Sequence, residues 1–190
     1  MSIQIREDIE VFVSCAIECS QQIQLFGELF DEEKTVETVN FMPQTFSILK
    51  LALLRTVVIG VCAFFDPAET KGSENLSLPF LEKKYSDRIT PEISELISKA
   101  RTMYRSLNVS RYRSKYLAHR DVLHFTKVEK ISHDLTTDDL QTLIILLMDI
   151  GLKVGRQSVT GRQLYESNRL NSSDSGSALI ALLDASHRTV

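Results

Sequence analysis

Glycine and proline are scarce in this chain, seven and four among 190 residues. Sandwiches and barrels need a turn roughly every 8–12 residues and draw on both residue types, so that scarcity argues against an all-β architecture. Long helices with few connections fit the punctuation better. Cysteine is sparser still, with only Cys15, Cys19 and Cys62. Cys15 and Cys19 stand four apart in helix-like sequence and share a face. A closed zinc site would need a second such pair, and the sequence holds none. The two are expected to be small buried apolar residues, and nothing demands an oxidising compartment.

Other absences narrow the field further. Arg6, Glu7, Asp8 and Glu10 stand where the apolar region of a secretory signal would be. The most apolar stretch, residues 51–65, is interrupted by Arg55. The apolar run beyond Arg55 is about half of the roughly 20 residues that a membrane-spanning helix requires. A buried core helix, no membrane association and a cytoplasmic location are the expectations. Gly155 and Gly161 bracket a short run that lacks the Lys-Ser/Thr of a phosphate-binding loop, and no nucleophile elbow is present. No cluster of metal-ligating residues is visible either, so neither a metal nor another cofactor is expected.

Acidic residues are missing from one long segment. Between residues 99 and 120 there are seven basic side chains (Lys99, Arg101, Arg105, Arg111, Arg113, Lys115 and Arg120) and no Asp or Glu. The formal net charge is −3, which argues against a general nucleic-acid coat protein. The rest of the chain holds 15 Lys and Arg against 25 acids, a balance of −10. A mildly acidic protein thus carries one concentrated basic stretch suited to phosphate.

The residues that are present read as helix. Ile9, Phe12, Val13, Ala16, Ile17, Ile23, Phe26, Leu29 and Phe30 fall at three-to-four spacing and predict a helix over residues 3–30. Residues 31–38 are a polar connection or an exposed extension. A second helix is predicted over 42–65, apolar on most sides as a central bundle helix is, and ended by Asp66-Pro67. Residues 68–77 have loop composition, and a short helix is expected over 78–85. Thr90-Pro91-Glu92 is a helix start, with Thr90 as cap. Ile93, Leu96, Ile97, Ala100 and Met103 continue it. Asn108 and Ser110 either break this helix or lie within its continuation through 111–122. A loop over 126–135 is followed by a helix capped by Thr137, with Leu140, Leu143, Leu146, Leu147, Ile150 and Val154 on one side. Residues 171–177 read as linker, and 178–185 as a short terminal helix. The expected fold is all-α, an up-and-down bundle of four to five main helices. Residues 1–157 form its domain, and 158–190 form a C-terminal extension.

The chemistry concentrates in Ser110-Arg-Tyr-Arg-Ser-Lys-Tyr-Leu-Ala-His-Arg-Asp121. Arginine grips phosphate oxygens with a planar, permanently charged fork. Histidine moves protons near neutral pH. An imidazole that takes the proton of a ribose 2′-hydroxyl, beside a guanidinium that stabilises charge on phosphate oxygens, is sufficient for RNA cleavage without metal. An ordinary salt-bridged helix face and a packing histidine are the competing readings of the same residues. His124 and His133 fall in loop-like sequence and read as surface residues.

The segment resembles the ribonuclease motif of the HEPN superfamily, an arginine, four to six residues and a histidine, here Arg113 and His119 with five between. Its Leu-Ala-His-Arg-Asp context is similar to the abortive-infection AbiU-type branch. The likeness extends loosely over residues 42–156, through an apolar helix ending in Phe-Phe-Asp, a leucine-rich short segment, the motif helix and the apolar helix after it. The resemblance implies catalytic roles for Arg113 and His119, and RNA-binding or supporting roles for Ser114, Lys115, Tyr116, Arg120 and Asp121. Where active HEPN ribonucleases often carry Asn, Asp or His after the arginine, this chain has Ser114. Six residues of ideal helix leave Arg113 and His119 about 120° apart. The resemblance implies a homodimer in which motif helices of two chains line one cleft. It also implies RNA as partner, toxin or phage-defence function, and an antitoxin or nucleotidyltransferase as companion. The alternative is a non-catalytic module that binds RNA, a nucleotide or a protein. A helical oligomer with no chemistry is the third reading.

Overall fold

A computed structural model describes residues 3–30, 42–114 and 136–187. The polar stretch after residue 30 and the loop expected over 126–135 lie outside the described residues. The architecture is an all-α bundle. Its first helix, α1 (Ile3–Phe30), has the bounds that the apolar spacing predicts. It lays Ile9, Phe12, Val13, Ala16 and Ile23 into the core. Ile17, Phe26 and Phe30 are half-buried along its flank.

Helix α2 (Pro43–Ala63) follows. Its inner face, Phe46, Val57, Val58, Val61 and Cys62, is buried. The expectation of a helix enclosed on most sides is corrected here. Ile48 is 72 % exposed and Ile59 50 %, so the face of α2 that carries them finds no cover among the described residues. Its bounds lie within two residues of those the sequence predicts, and Arg55 sits inside it. By length and composition α2 passes for a membrane-crossing helix, with mean hydropathy 2.0, although its inner face packs into the bundle.

The loop composition of residues 68–77 conceals a small antiparallel hairpin, β1 (Glu69–Thr70) with β2 (Ser73–Glu74). Lys71 and Gly72 both take positive φ, 51° and 84°. That pair of left-handed residues is what a two-residue hairpin turn requires. Ser77 then caps α3 (Leu78–Lys84), its side chain accepting from the Phe80 N–H. A 3₁₀ turn over Ser86–Arg88 leads to α4 (Pro91–Ser106), where the Thr90 hydroxyl accepts from the Ile93 N–H at 3.3 Å. Lys84 and Tyr85 both donate to the Asp8 carboxylate and tie α3 to the start of α1.

Asn108 settles the question left open by the sequence. Its φ of 57° breaks α4 and restarts the chain as α5 (Val109–Tyr112). Later, α6 (Thr137–Val154) packs along α1 and buries all six of its predicted apolar residues. Its cap is Thr136 and not Thr137, because the Thr136 hydroxyl reaches the Asp139 N–H at 3.1 Å. Beyond residue 157, where the sequence signal is weak, a Thr160/Gln163 capping box starts α7 (Gly161–Asn168). The last helix is α8 (Gly176–His187). Both pack against α1, and α7 also against α6. Leu29, Phe46 and Ile180 form a satellite core where α1, α2 and α8 meet.

Candidate functional site

The motif arginine is positioned by a break and two anchors. Asn108 turns the chain out of α4, and Val109 and Tyr112, buried to 0 % and 3 % exposure, fix α5 against the core. Arg111 and Ser114 are exposed beside them. The helical turn widens to π geometry at Arg113 and Ser114, a local irregularity that frequently marks functional positions.

Arg113 points back to the end of α2. Its Nη1 donates to Asp66 Oδ1 at 3.1 Å, and the two side chains are 39 % and 38 % exposed. Cys62, one turn before Asp66, lies near enough to favour the Arg113 charge. The Cys62 sulfur accepts from the Tyr104 hydroxyl at 3.3 Å. The Tyr104 ring lies flat on Phe65, with centroids 4.0 Å apart and planes 7° from parallel. Residues from α2, α4 and α5 thus converge on one cation.

The electrostatics are consistent with a permanent positive charge here. Burial opposes the Arg113 charge, but the Asp66 carboxylate and the Cys62 sulfur outweigh it, so the guanidinium holds its proton more firmly than usual. Burial raises the Cys62 thiol, against the lowering effect of Tyr104 and Arg113. Burial, then the Cys62 contact, raises Tyr104 as well. Both groups therefore stay neutral near pH 7, and the local charges are those of Arg113 and Asp66. A half-exposed guanidinium of this kind can meet a phosphate while remaining anchored.

Of the predicted site residues, Arg113 and Ser114 are described, adjacent and in reach of solvent. His119, Lys115, Tyr116, Arg120 and Asp121 lie outside the described residues. Asp66, Cys62 and Tyr104 were not legible as site residues. One signal bears on Asp66: an acid just past the C-terminus of an apolar helix opposes the helix dipole, and so calls for a cation nearby. Among the described residues no group of three or more His, Cys, Asp or Glu is arranged to hold a metal ion. A cleft of about 380 Å³ between α1 and α2, lined by Cys15, Cys19, Thr56 and Ile59 among others, does not include Arg113.

No curated protein and no solved structure matches the chain. The model of one family does, that of the HEPN-type AbiU2 proteins, over residues 10–166. The match runs from the first turns of α1 into α7 and takes in Asp66, Arg113 and the whole basic segment. With most of its length and its all-α architecture accounted for in this way, the chain belongs to the AbiU2 family of the HEPN superfamily.

Proposed function

We propose that this chain is a metal-independent endoribonuclease of HEPN type, acting from the cytoplasm in a toxin or phage-defence role. The observation that carries the reading is the state of Arg113. It heads the Arg-x5-His spacing, sits in a family-matched segment, and is anchored by Asp66 with 39 % of its side chain open.

In this reading Arg113 holds a scissile phosphate and stabilises the charge that grows on its oxygens. His119 takes the proton of the adjacent 2′-hydroxyl. The 2′ oxygen bonds to phosphorus as the bond to the 5′ oxygen breaks. The departing 5′ oxygen receives a proton from the partner subunit's His119, leaving a 2′,3′-cyclic phosphate and a 5′-hydroxyl. A homodimer supplies both histidines, with Ser114, Lys115, Tyr116, Arg120 and Asp121 supporting RNA around them. An antitoxin or nucleotidyltransferase is the companion this role calls for.

The test is cleavage of single-stranded RNA in EDTA by wild type, Arg113→Ala and His119→Ala, matched for folding by circular dichroism. Cleavage by wild type alone, with a cyclic phosphate product, is expected. Equal cleavage by His119→Ala removes the histidine from the mechanism. Ser114, exposed where related active enzymes often carry Asn, Asp or His, favours a second reading, a non-catalytic RNA-binding module. Salt-dependent binding lost in Arg113→Ala, with intact RNA throughout, would select that reading.

A further inference from the structure

Asp66 occupies a segment whose two sides are fastened independently. Just before it, the Phe64 carbonyl accepts from the Leu78 N–H at 2.8 Å. Just after it, the Pro67 carbonyl accepts from the Asn75 side-chain amide at 2.7 Å. The same amide nitrogen donates to Thr70 Oγ1, and the Asn75 N–H donates to the Ala68 carbonyl at 2.9 Å. The hairpin over residues 69–74 therefore folds back as a brace, and Pro67 further restricts the backbone at Asp66 to extended geometry.

A braced acid holding a half-exposed arginine is an unusual use of surface structure. An ion pair this open adds little to folding stability, and an acid past the end of α2 opposes the helix dipole. Folding alone gives little reason for building it so firmly. Its consequence is geometric: one arm of the guanidinium is fixed by Asp66, whose backbone is fastened on both sides.

We infer that Asp66 is the positioning residue of Arg113, held by the Asn75-fastened hairpin so that the guanidinium is aimed before RNA arrives. The inference rests on the ribonuclease reading for its kinetic consequence, but the restraint on Arg113 exists without it. Pre-aimed groups avoid ordering costs in the transition state, and small misplacements of such groups lower rates steeply.

The experiment uses the full chain with Asp66→Asn, Asp66→Ala, Asn75→Ala, Arg113→Ala and the double Asp66→Ala/Arg113→Ala variant. Two readouts are taken: cleavage kinetics on a short single-stranded RNA in EDTA, and the NMR signal of the Arg113 Nε–Hε group. Asp66→Ala is expected to lower kcat by about tenfold to a hundredfold with KM little changed. Asp66→Asn, which keeps an acceptor, should recover part of that loss, and Asn75→Ala should show a smaller loss of the same kind. In the Arg113→Ala background, Asp66→Ala should have no further effect. The Arg113 signal should be sharp and protected in wild type, and broadened by exchange in Asp66→Ala. Full independent losses in the double variant would overturn the inference, because Asp66 would then act elsewhere. A rise in activity on removing Asp66 would also overturn it, by making the carboxylate a competitor of phosphate. If wild type cleaves nothing, the ribonuclease reading fails and the NMR arm still decides. An Arg113 signal unmoved by Asp66→Ala would end the positioning role.

Discussion

Gly161 lies directly against Asp149, its N–H donating to the Asp149 carboxylate. A Cβ added at residue 161 would stand 2.8 Å from the Asp149 backbone nitrogen. The first residue of α7 is therefore wedged onto α6, and glycine is the residue type that permits the approach. Gly161→Ala should destabilise the protein by about 1–3 kcal/mol, the usual cost of inserting a methyl into packed structure. Urea denaturation measures it. An unchanged midpoint would mean that α7 shifts outward without loss and is not part of the cooperative fold.

Asn108 offers a second test, one step from the site. Its φ of 57° and ψ of 23° are left-handed, a region that costs an ordinary residue about 1–2 kcal/mol and glycine nothing. Asn108→Ala should lose about that much stability and, by favouring a straight continuation of α4, draw Arg113 away from Asp66. Asn108→Gly should keep stability and, on the ribonuclease proposal, RNA cleavage as well. Denaturation and cleavage measured on the same three proteins check the pair, and equal behaviour of alanine and glycine would contradict it.

Local features were legible in the sequence, and tertiary ones were hidden. The bounds of α1 follow from apolar spacing, and the Thr90 cap and the buried side of α6 follow equally. Two adjacent threonines could each have capped α6, and only the reach of the Thr136 hydroxyl to Asp139 decides between them. The start of α7 was written in the Thr160/Gln163 pair, but eight residues with a thin apolar stripe gave no periodicity to support it. The exposed face of α2 was hidden because apolar composition does not say which faces find a neighbour. Arg113 was visible from its spacing to a histidine. Asp66, 47 residues earlier, becomes part of the site only when the end of α2 meets α5.

The three cysteines should differ in reactivity. Cys15 is exposed, whereas Cys19 and Cys62 are 4 % and 1 % exposed, which corrects the expectation that Cys15 and Cys19 are both buried. Burial pushes the Cys19 thiol up to about 12, with Glu18 and Cys15 adding to it. Burial first, then Glu18, raises Cys15 as well. Iodoacetamide at about pH 8, near the ordinary thiol range, should therefore label Cys15 slowly and leave the other two until denaturant is added. Mass spectrometry counts the adducts, and rapid labelling of Cys19 in the folded protein would contradict its burial. The same shift fixes a pH dependence. An unfolded Cys19 ionises near 9.0 while the folded one keeps its proton to about 12. Its contribution is present in full below pH 9 and is lost as pH rises toward 12. Cys19→Ala should show a shallower decline over that window.

The two faces of the apolar helices predict opposite responses to truncation. Leu147 on α6 is fully buried in the main core, so removing its side chain leaves a cavity that cannot collapse freely. Leu147→Ala should cost about 2–5 kcal/mol. Ile48 on α2 is just as apolar but 72 % exposed, so Ile48→Ser should change stability by no more than about 0.5 kcal/mol. Both are read from urea midpoints at low protein concentration, with the transition slope compared to confirm two-state unfolding. A large loss in Ile48→Ser would show that the outward face of α2 is covered in solution. Repeating the measurement over a range of protein concentrations would then tell a second copy from an intramolecular cover, because only association makes the midpoint concentration-dependent.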